Sequence, residues 1–90
     1  MHKKIKVQLL VNEVAGNGNA IKADKELQDI LKEMNIPFKR QKSHYPGELV
    51  VLAQNYANLH LSSEHVLIVV GGDGSFIEVL NGIKTSNYPE

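Results

Sequence analysis

The stretch His65-Val66-Leu67-Ile68-Val69-Val70-Gly71-Gly72-Asp73-Gly74-Ser75-Phe76-Ile77-Glu78-Val79-Leu80-Asn81-Gly82-Ile83-Lys84 decides the fold. It opens with an apolar, β-branched run and breaks at three glycines. It then carries Phe76, Val79, Leu80 and Ile83 at helical spacing, so it reads as strand, turn and helix. Glycines after a buried strand let the backbone turn sharply and place no Cβ in the way of a closely approaching ligand. The helix that follows points unpaired N–H groups and the positive end of its dipole at the turn. A phosphate group fits that description.

Two further strand–helix units precede this one. Residues 5–11 read as a strand that ends in an Asn/Gly-rich loop, residues 12–19. A helix is expected over about 20–34, with Leu27, Ile30, Leu31 and Met34 on one face. Asn35 serves as its left-handed cap, Ile36 as the capping hydrophobe and Pro37 as a stop. Residues 38–42 form a short polar strand suited to a sheet edge. Pro46 fits the first position of a second helix running to about residue 58, with Leu49, Val50, Ala53, Tyr56 and Ala57 inward. The third strand is apolar on both faces and reads as a central strand covered by helices on each side. The result is an α/β fold, a three-layer βαβαβα unit with a parallel sheet in the order 2-1-3. Ligands of such sheets bind beyond the carboxyl ends of the strands. The loops 12–19 and 71–75 therefore share one rim.

Composition removes several functions. Ten basic and ten acidic side chains cancel, and no basic face is available for nucleic acid. Cysteine is absent, which removes disulfides, zinc thiolates and thiol catalysis and fits a cytoplasmic location. No run approaches the roughly 20 apolar residues that span a bilayer, and the alternation after Met1-His2-Lys3-Lys4 is not that of a signal peptide. Lys3, Lys4 and Lys6 allow at most peripheral contact with an anionic membrane. His2, His44, His60 and His65 lack metal-ligand spacing.

Known phosphate motifs narrow the reading further. No stretch supplies Gly-x-x-x-x-Gly-Lys-Ser/Thr, and Gly16-Asn17-Gly18 opens a dinucleotide fingerprint whose third glycine is replaced by Ile21. Ser75-x-x-Glu78 matches a capping box, which needs no ligand. A capping box does not account for Asp73, since a carboxylate beside a phosphate is useful chiefly with a metal ion or a transferable proton.

The longer run Gly71-Gly72-Asp73-Gly74-Ser75-Phe76-Ile77-Glu78-Val79-x-Asn81-Gly82 resembles the signature GGDGT-x-x-E-V-x-N-G of the diacylglycerol kinase catalytic-domain family. The first loop, Asn12-Glu13-Val14-Ala15-Gly16-Asn17-Gly18, resembles that family's Asn-Pro-x-Ser/Ala-Gly-x-Gly. Ser43, ahead of Pro46-Gly47-Glu48, stands where the family places a nucleotide-contacting threonine. Ser43 and Ser75 keep the hydroxyl of the threonines they replace. Glu13 replaces a proline and is expected to point to solvent.

The resemblance implies the N-terminal part of an NAD kinase/diacylglycerol kinase-like fold and transfer of the γ-phosphoryl of ATP, with Mg2+, to a lipid hydroxyl. It implies that Gly71, Gly72, Gly74 and Ser75 cradle phosphates and that Asp73 is catalytic, through the metal or the nucleotide. Asn12, Ala15, Gly16 and Ser43 would line the nucleotide pocket, and Glu78 would orient the loop or the ribose. Residues 1–90 are then an ATP-binding domain, inactive alone, whose β-rich lipid-binding partner domain lies outside them. The open edge of the sheet beside the third strand is expected to favour a homo-oligomer. The alternatives are an NAD-kinase-like enzyme fragment and a non-catalytic nucleotide-binding or dimerisation module.

Overall fold

The computed structural model describes residues 5–14, 18–59 and 64–86. The elements are β1 (Lys6–Val11), α1 (Asn19–Glu33), β2 (Phe38–Lys42), α2 (Glu48–Ala57), β3 (His65–Val70) and α3 (Asp73–Lys84). All strand pairs are parallel and the sheet order is β2-β1-β3, as expected from the sequence.

Alternation along β1 divides the core into two. Val7, Leu9 and Val11 face α1 and pack with Ala20, Leu31 and Val70. Leu10 faces the other way and packs with Leu49, Ala53 and Val79 from α2 and α3. The three layers are thus α1, the sheet, and the α2–α3 pair. The helix pair is close because Gly82 is buried in its seam: a Cβ there would fall on the Val50 carbonyl oxygen and within 2.8 Å of the Ala53 methyl.

The end of α1 follows its sequence. Asn35 takes φ 58°. The Ile36 amide returns to the Leu31 carbonyl at 2.9 Å and that of Asn35 to Lys32 at 3.1 Å. Those two bonds are the reciprocal pattern of a Schellman cap, with Ile36 packed on the core.

Several expectations are corrected. The central strand is β1, buried from Val7 to Val11, whereas β3 lies at the edge with only Val70 fully buried. An apolar run shows that a strand can be covered, and the 2-1-3 order determines where it goes. Helix α3 begins at Asp73 rather than near Phe76, so Asp73, Gly74 and Ser75 are its first turn. Its buried positions are Ser75, Val79 and Gly82, and this phase leaves Phe76 55% and Leu80 43% exposed. Helix α1 is rotated in the same way: Ala20, Asp24 and Leu31 are buried while Ile30 and Met34 are exposed. Helix α2 starts at Glu48, after Gly47 at φ 90°, and Pro46 belongs to the preceding turn.

Candidate phosphate-binding rim

The three strands end together. The Asn12 amide donates to the Val70 carbonyl and the Ser43 amide to the Val11 carbonyl, each at 2.9 Å. These bonds extend the sheet's pairing by one residue and bring the loops after β1, β2 and β3 to a common rim. Two residues then join the first loop to α3. The Asn12 Nδ2 donates to Ser75 Oγ at 3.1 Å, and the Asn12 Oδ1 accepts from the Val14 amide at 3.3 Å. Ser75 is 3% exposed.

The glycines of this turn have different causes. A Cβ on Gly71 would fall on the Ser75 hydroxyl, 2.7 Å from its Cβ and 3.4 Å from that of Asn12; glycine there is a packing requirement. Apart from chain neighbours and the helix's own backbone, Gly72 and Gly74 have no atom of the described residues within 4 Å of where a Cβ would stand, and neither has a positive φ. Nothing in the fold asks for glycine at the exposed Gly74, although Gly is disfavoured by about 1 kcal/mol against Ala within a helix; Gly72, the cap of α3, stands where glycine is common. What their lack of side chains provides is open approach to the first turn of α3. That turn has no side-chain cap, so its leading N–H groups are available to an anion.

The capping box is not formed. Gly72 is the residue that caps α3, and Ser75, three residues in, is engaged by Asn12. Glu78 lines a cleft of about 250 Å³ with Asn12, Val14, Ser43, His44, Tyr45, Pro46 and Gly47. The far wall of this cleft is held by Glu48, whose carboxylate accepts from the His44 amide and lies 3.1 Å from His44 Nδ1. The backbone bond from His44, chiefly, holds the Glu48 carboxyl below its ordinary value.

Asn12, Ser43, Gly71, Gly72, Asp73, Gly74, Ser75 and Glu78 thus lie about one rim, with Gly72, Asp73 and Gly74 exposed. Ala15 and Gly16 fall outside the described residues. Glu13 does not point to solvent. Its carboxylate pairs with Arg40 at 3.1 Å and Lys42 at 3.3 Å. Arg40 in turn grips Asp24 through Nε and Nη2 at 3.0 and 2.7 Å, and Gln28 donates to Asp24 at 3.0 Å. The hydrogen bond to Asp24 raises the Arg40 pKa above its ordinary value, against the effect of burial. Sequence reading missed this network. The available signal was Asp24 itself, an acid on the inward stripe of Ala20 and Leu31, which demands a buried cationic partner.

Two comparisons with known proteins bear on this geometry. The family model for the diacylglycerol kinase catalytic domain matches residues 6–90. YtlR of Bacillus subtilis (strain 168), a protein that carries a lipid-kinase name, is 32% identical over 75 residues, which is 83% of this chain and 24% of YtlR. The chain therefore spans about a quarter of the length of that relative. With the glycine turn, the asparagine loop and the 2-1-3 sheet found in one arrangement, the chain belongs to the diacylglycerol kinase catalytic-domain family.

Proposed function

We propose that these residues are the nucleotide-binding part of an ATP-dependent lipid kinase that phosphorylates the hydroxyl of a diacylglycerol-like lipid. The observation that carries this reading is Gly74, bare of a side chain in the uncapped first turn of α3 where the fold does not require it. In the proposed complex the amides of Asp73, Gly74 and Ser75 donate to phosphate oxygens, and the α3 dipole adds favourable charge. Asn12 is already committed to Ser75 and Val14; its part is to hold the turn in place. The Ser43 hydroxyl and the Glu78 carboxylate, which both line the cleft, would contact the nucleoside.

Magnesium fits this rim only together with the nucleotide. Among the described residues no three His, Asp or Glu side chains are grouped to hold a cation, whereas Asp73 offers one exposed carboxylate in the first turn of α3. One carboxylate plus phosphate oxygens is a usual way of holding Mg2+, and the ion would neutralise charge on the β- and γ-phosphates. In the transfer, the lipid hydroxyl oxygen bonds to the γ-phosphorus as the bond to the β–γ bridging oxygen breaks. ADP leaves with that electron pair, and the hydroxyl proton passes to a base outside this rim.

The lipid pocket is assigned to sequence outside residues 1–90, in keeping with the quarter of YtlR that the chain spans. No helix among the described residues is long and apolar enough to cross a membrane, so contact with lipid would be peripheral and the proposed location is cytoplasmic. The outward Phe76, Ile77 and Leu80, with the exposed Val66 of the edge strand, support self-association of the isolated chain. Calorimetric titration with Mg-ATP tests the reading. Saturable heat is expected, weakened at least tenfold by Asp73→Ala; a silent wild-type chain contradicts it, and heat with NAD but not ATP transfers the site to an NAD-kinase-like enzyme.

A further inference from the structure

The Glu13–Arg40–Asp24 network lies on the α1 side of the sheet, away from the cleft. Arg40 is opposite Leu9 in the β1–β2 register and Lys42 opposite Val11, so both cations leave the sheet on the face that Leu9 and Val11 present to α1. The cleft is lined instead by Asn12 and Ser43, which follow Val11 and Lys42 in the chain and alternate to the other side, by residues 44–47 ahead of α2, and by Glu78 of α3. Glu13 therefore faces away from any ligand in the cleft, while the residue before it, Asn12, lines the cleft and bonds to Ser75 of α3.

Arg40 is held at both ends. Asp24, with a side chain only 5% exposed, takes Nε and Nη2 from Arg40 and a third bond from Gln28, which leaves the guanidinium little rotational freedom. The same Nη2 reaches Glu13. One planar cation thus joins three elements: the helix α1, the strand β2 and the turn that carries Asn12. Resting on the nucleotide reading above, we propose that Arg40 is a positioning residue for nucleotide binding, acting through Glu13 to hold the turn 12–14 in the conformation that presents Asn12 to Ser75. Arg is suited to the task because its fork meets two carboxylates at fixed angles, which a lysine at the same place does not.

The arrangement separates stability from positioning. Asp24 is buried, and loss of Arg40 would leave its charge uncompensated. Glu13 with Arg40 is partly exposed, with side chains 30% and 28% accessible, and such pairs contribute little to global stability. Removing the Glu13 charge should therefore leave the chain folded and loosen only the turn.

The test is Glu13→Gln beside Arg40→Lys, each read by hydrogen exchange at the Val14 amide, which Asn12 Oδ1 holds, and by Mg-ATP titration. The thermal midpoint of Glu13→Gln should stay close to wild type. Val14 exchange should accelerate about tenfold in both variants, and Mg-ATP affinity should fall about fivefold in both, with Glu13→Asp restoring most of each loss. Unchanged Val14 exchange overturns the inference whatever the nucleotide does. Faster exchange with an unchanged Mg-ATP affinity overturns it too, and leaves the nucleotide reading standing. Absence of Mg-ATP binding in the wild type overturns the nucleotide reading itself and this inference with it.

Discussion

The Asn12 amide group donates to the Ser75 hydroxyl across 3.1 Å and 63 residues of chain. That bond makes one unit of the loop after β1 and the first turn of α3, which the topology only brings near each other. Ser75 is buried by the close passage of Gly71 above it, and Asn12 is oriented from its other end by the Val14 amide. The first turn of α3 is thereby placed relative to the ends of β1 and β3 without any contact from a ligand.

Asn12→Ala should weaken the chain by about 1 kcal/mol, the ordinary net contribution of such a bond, and should loosen Mg-ATP binding as well. Ser75→Ala leaves the Asn12 amide without its acceptor and should be at least as damaging. Urea denaturation of the two single variants and the double checks this. The double should be less destabilised than the sum of the singles, since the partners share one interaction.

Two alanine substitutions three residues apart should behave oppositely. Gly71→Ala drives a methyl into Ser75 and should destabilise by about 1–3 kcal/mol through overpacking. Gly74→Ala meets no atom of the described residues within 4 Å beyond its chain neighbours and its own helix backbone and adds helix propensity, worth up to about 1 kcal/mol. Its thermal midpoint should hold or rise while affinity for Mg-ATP falls at least tenfold. A Gly74→Ala chain that is as stable as wild type and binds as tightly would leave the open glycine without a functional cause.

The sheet order, the six elements and the Asn35 cap were legible in sequence because each rests on local signals: hydrophobic period, a cap residue and a crossover rule. Asn12, Ser43 and the glycine turn were legible as a group because strand ends in this order meet at one rim. The face that α3 presents was not. Phe76 and Leu80 match a helical stripe as well as Ser75, Val79 and Gly82 do, and only packing against α2 chooses between them. The buried faces of Ser75 and Gly82 are polar or bare, and a hydrophobic pattern does not register them. The inward Asp24 and the pairing of Glu13 with Arg40 and Lys42 were hidden for a related reason: their partners come from β2, and a charge pair across elements has no spacing rule.

Gly82→Ala should separate α2 from α3. The added methyl would meet the Val50 carbonyl oxygen and the Ala53 methyl, and backbone does not yield as a flexible side chain would. A loss of about 3 kcal/mol, at the upper end of overpacking, should appear in chemical denaturation. Asn81→Ala, one residue earlier and exposed, should change stability far less.

Acid should release the loop that walls the cleft. The Glu48 carboxyl titrates below its ordinary value of 4.5 because it accepts the His44 amide. A depressed folded-state pKa contributes stability above the unfolded value, and that contribution disappears as pH falls from about 4.5 through the folded value. Protection of the His44 amide, relative to its intrinsic exchange rate, should fall over that window in the wild type. In Glu48→Gln the protection of that amide, taken relative to its intrinsic exchange rate, should be low and show no step over that window.

The central claim is that the first turn of α3 receives the phosphates, and amide chemical shifts report on it directly. The measurement is a titration of the 15N-labelled chain with Mg-ATP. The account predicts saturable shifts largest at Gly72, Asp73, Gly74 and Ser75, smaller shifts at Ser43 and Glu78, and none around Phe38 and Tyr56 at the opposite end of the sheet. Saturable shifts confined to that opposite end, or no shifts at any concentration, would contradict it.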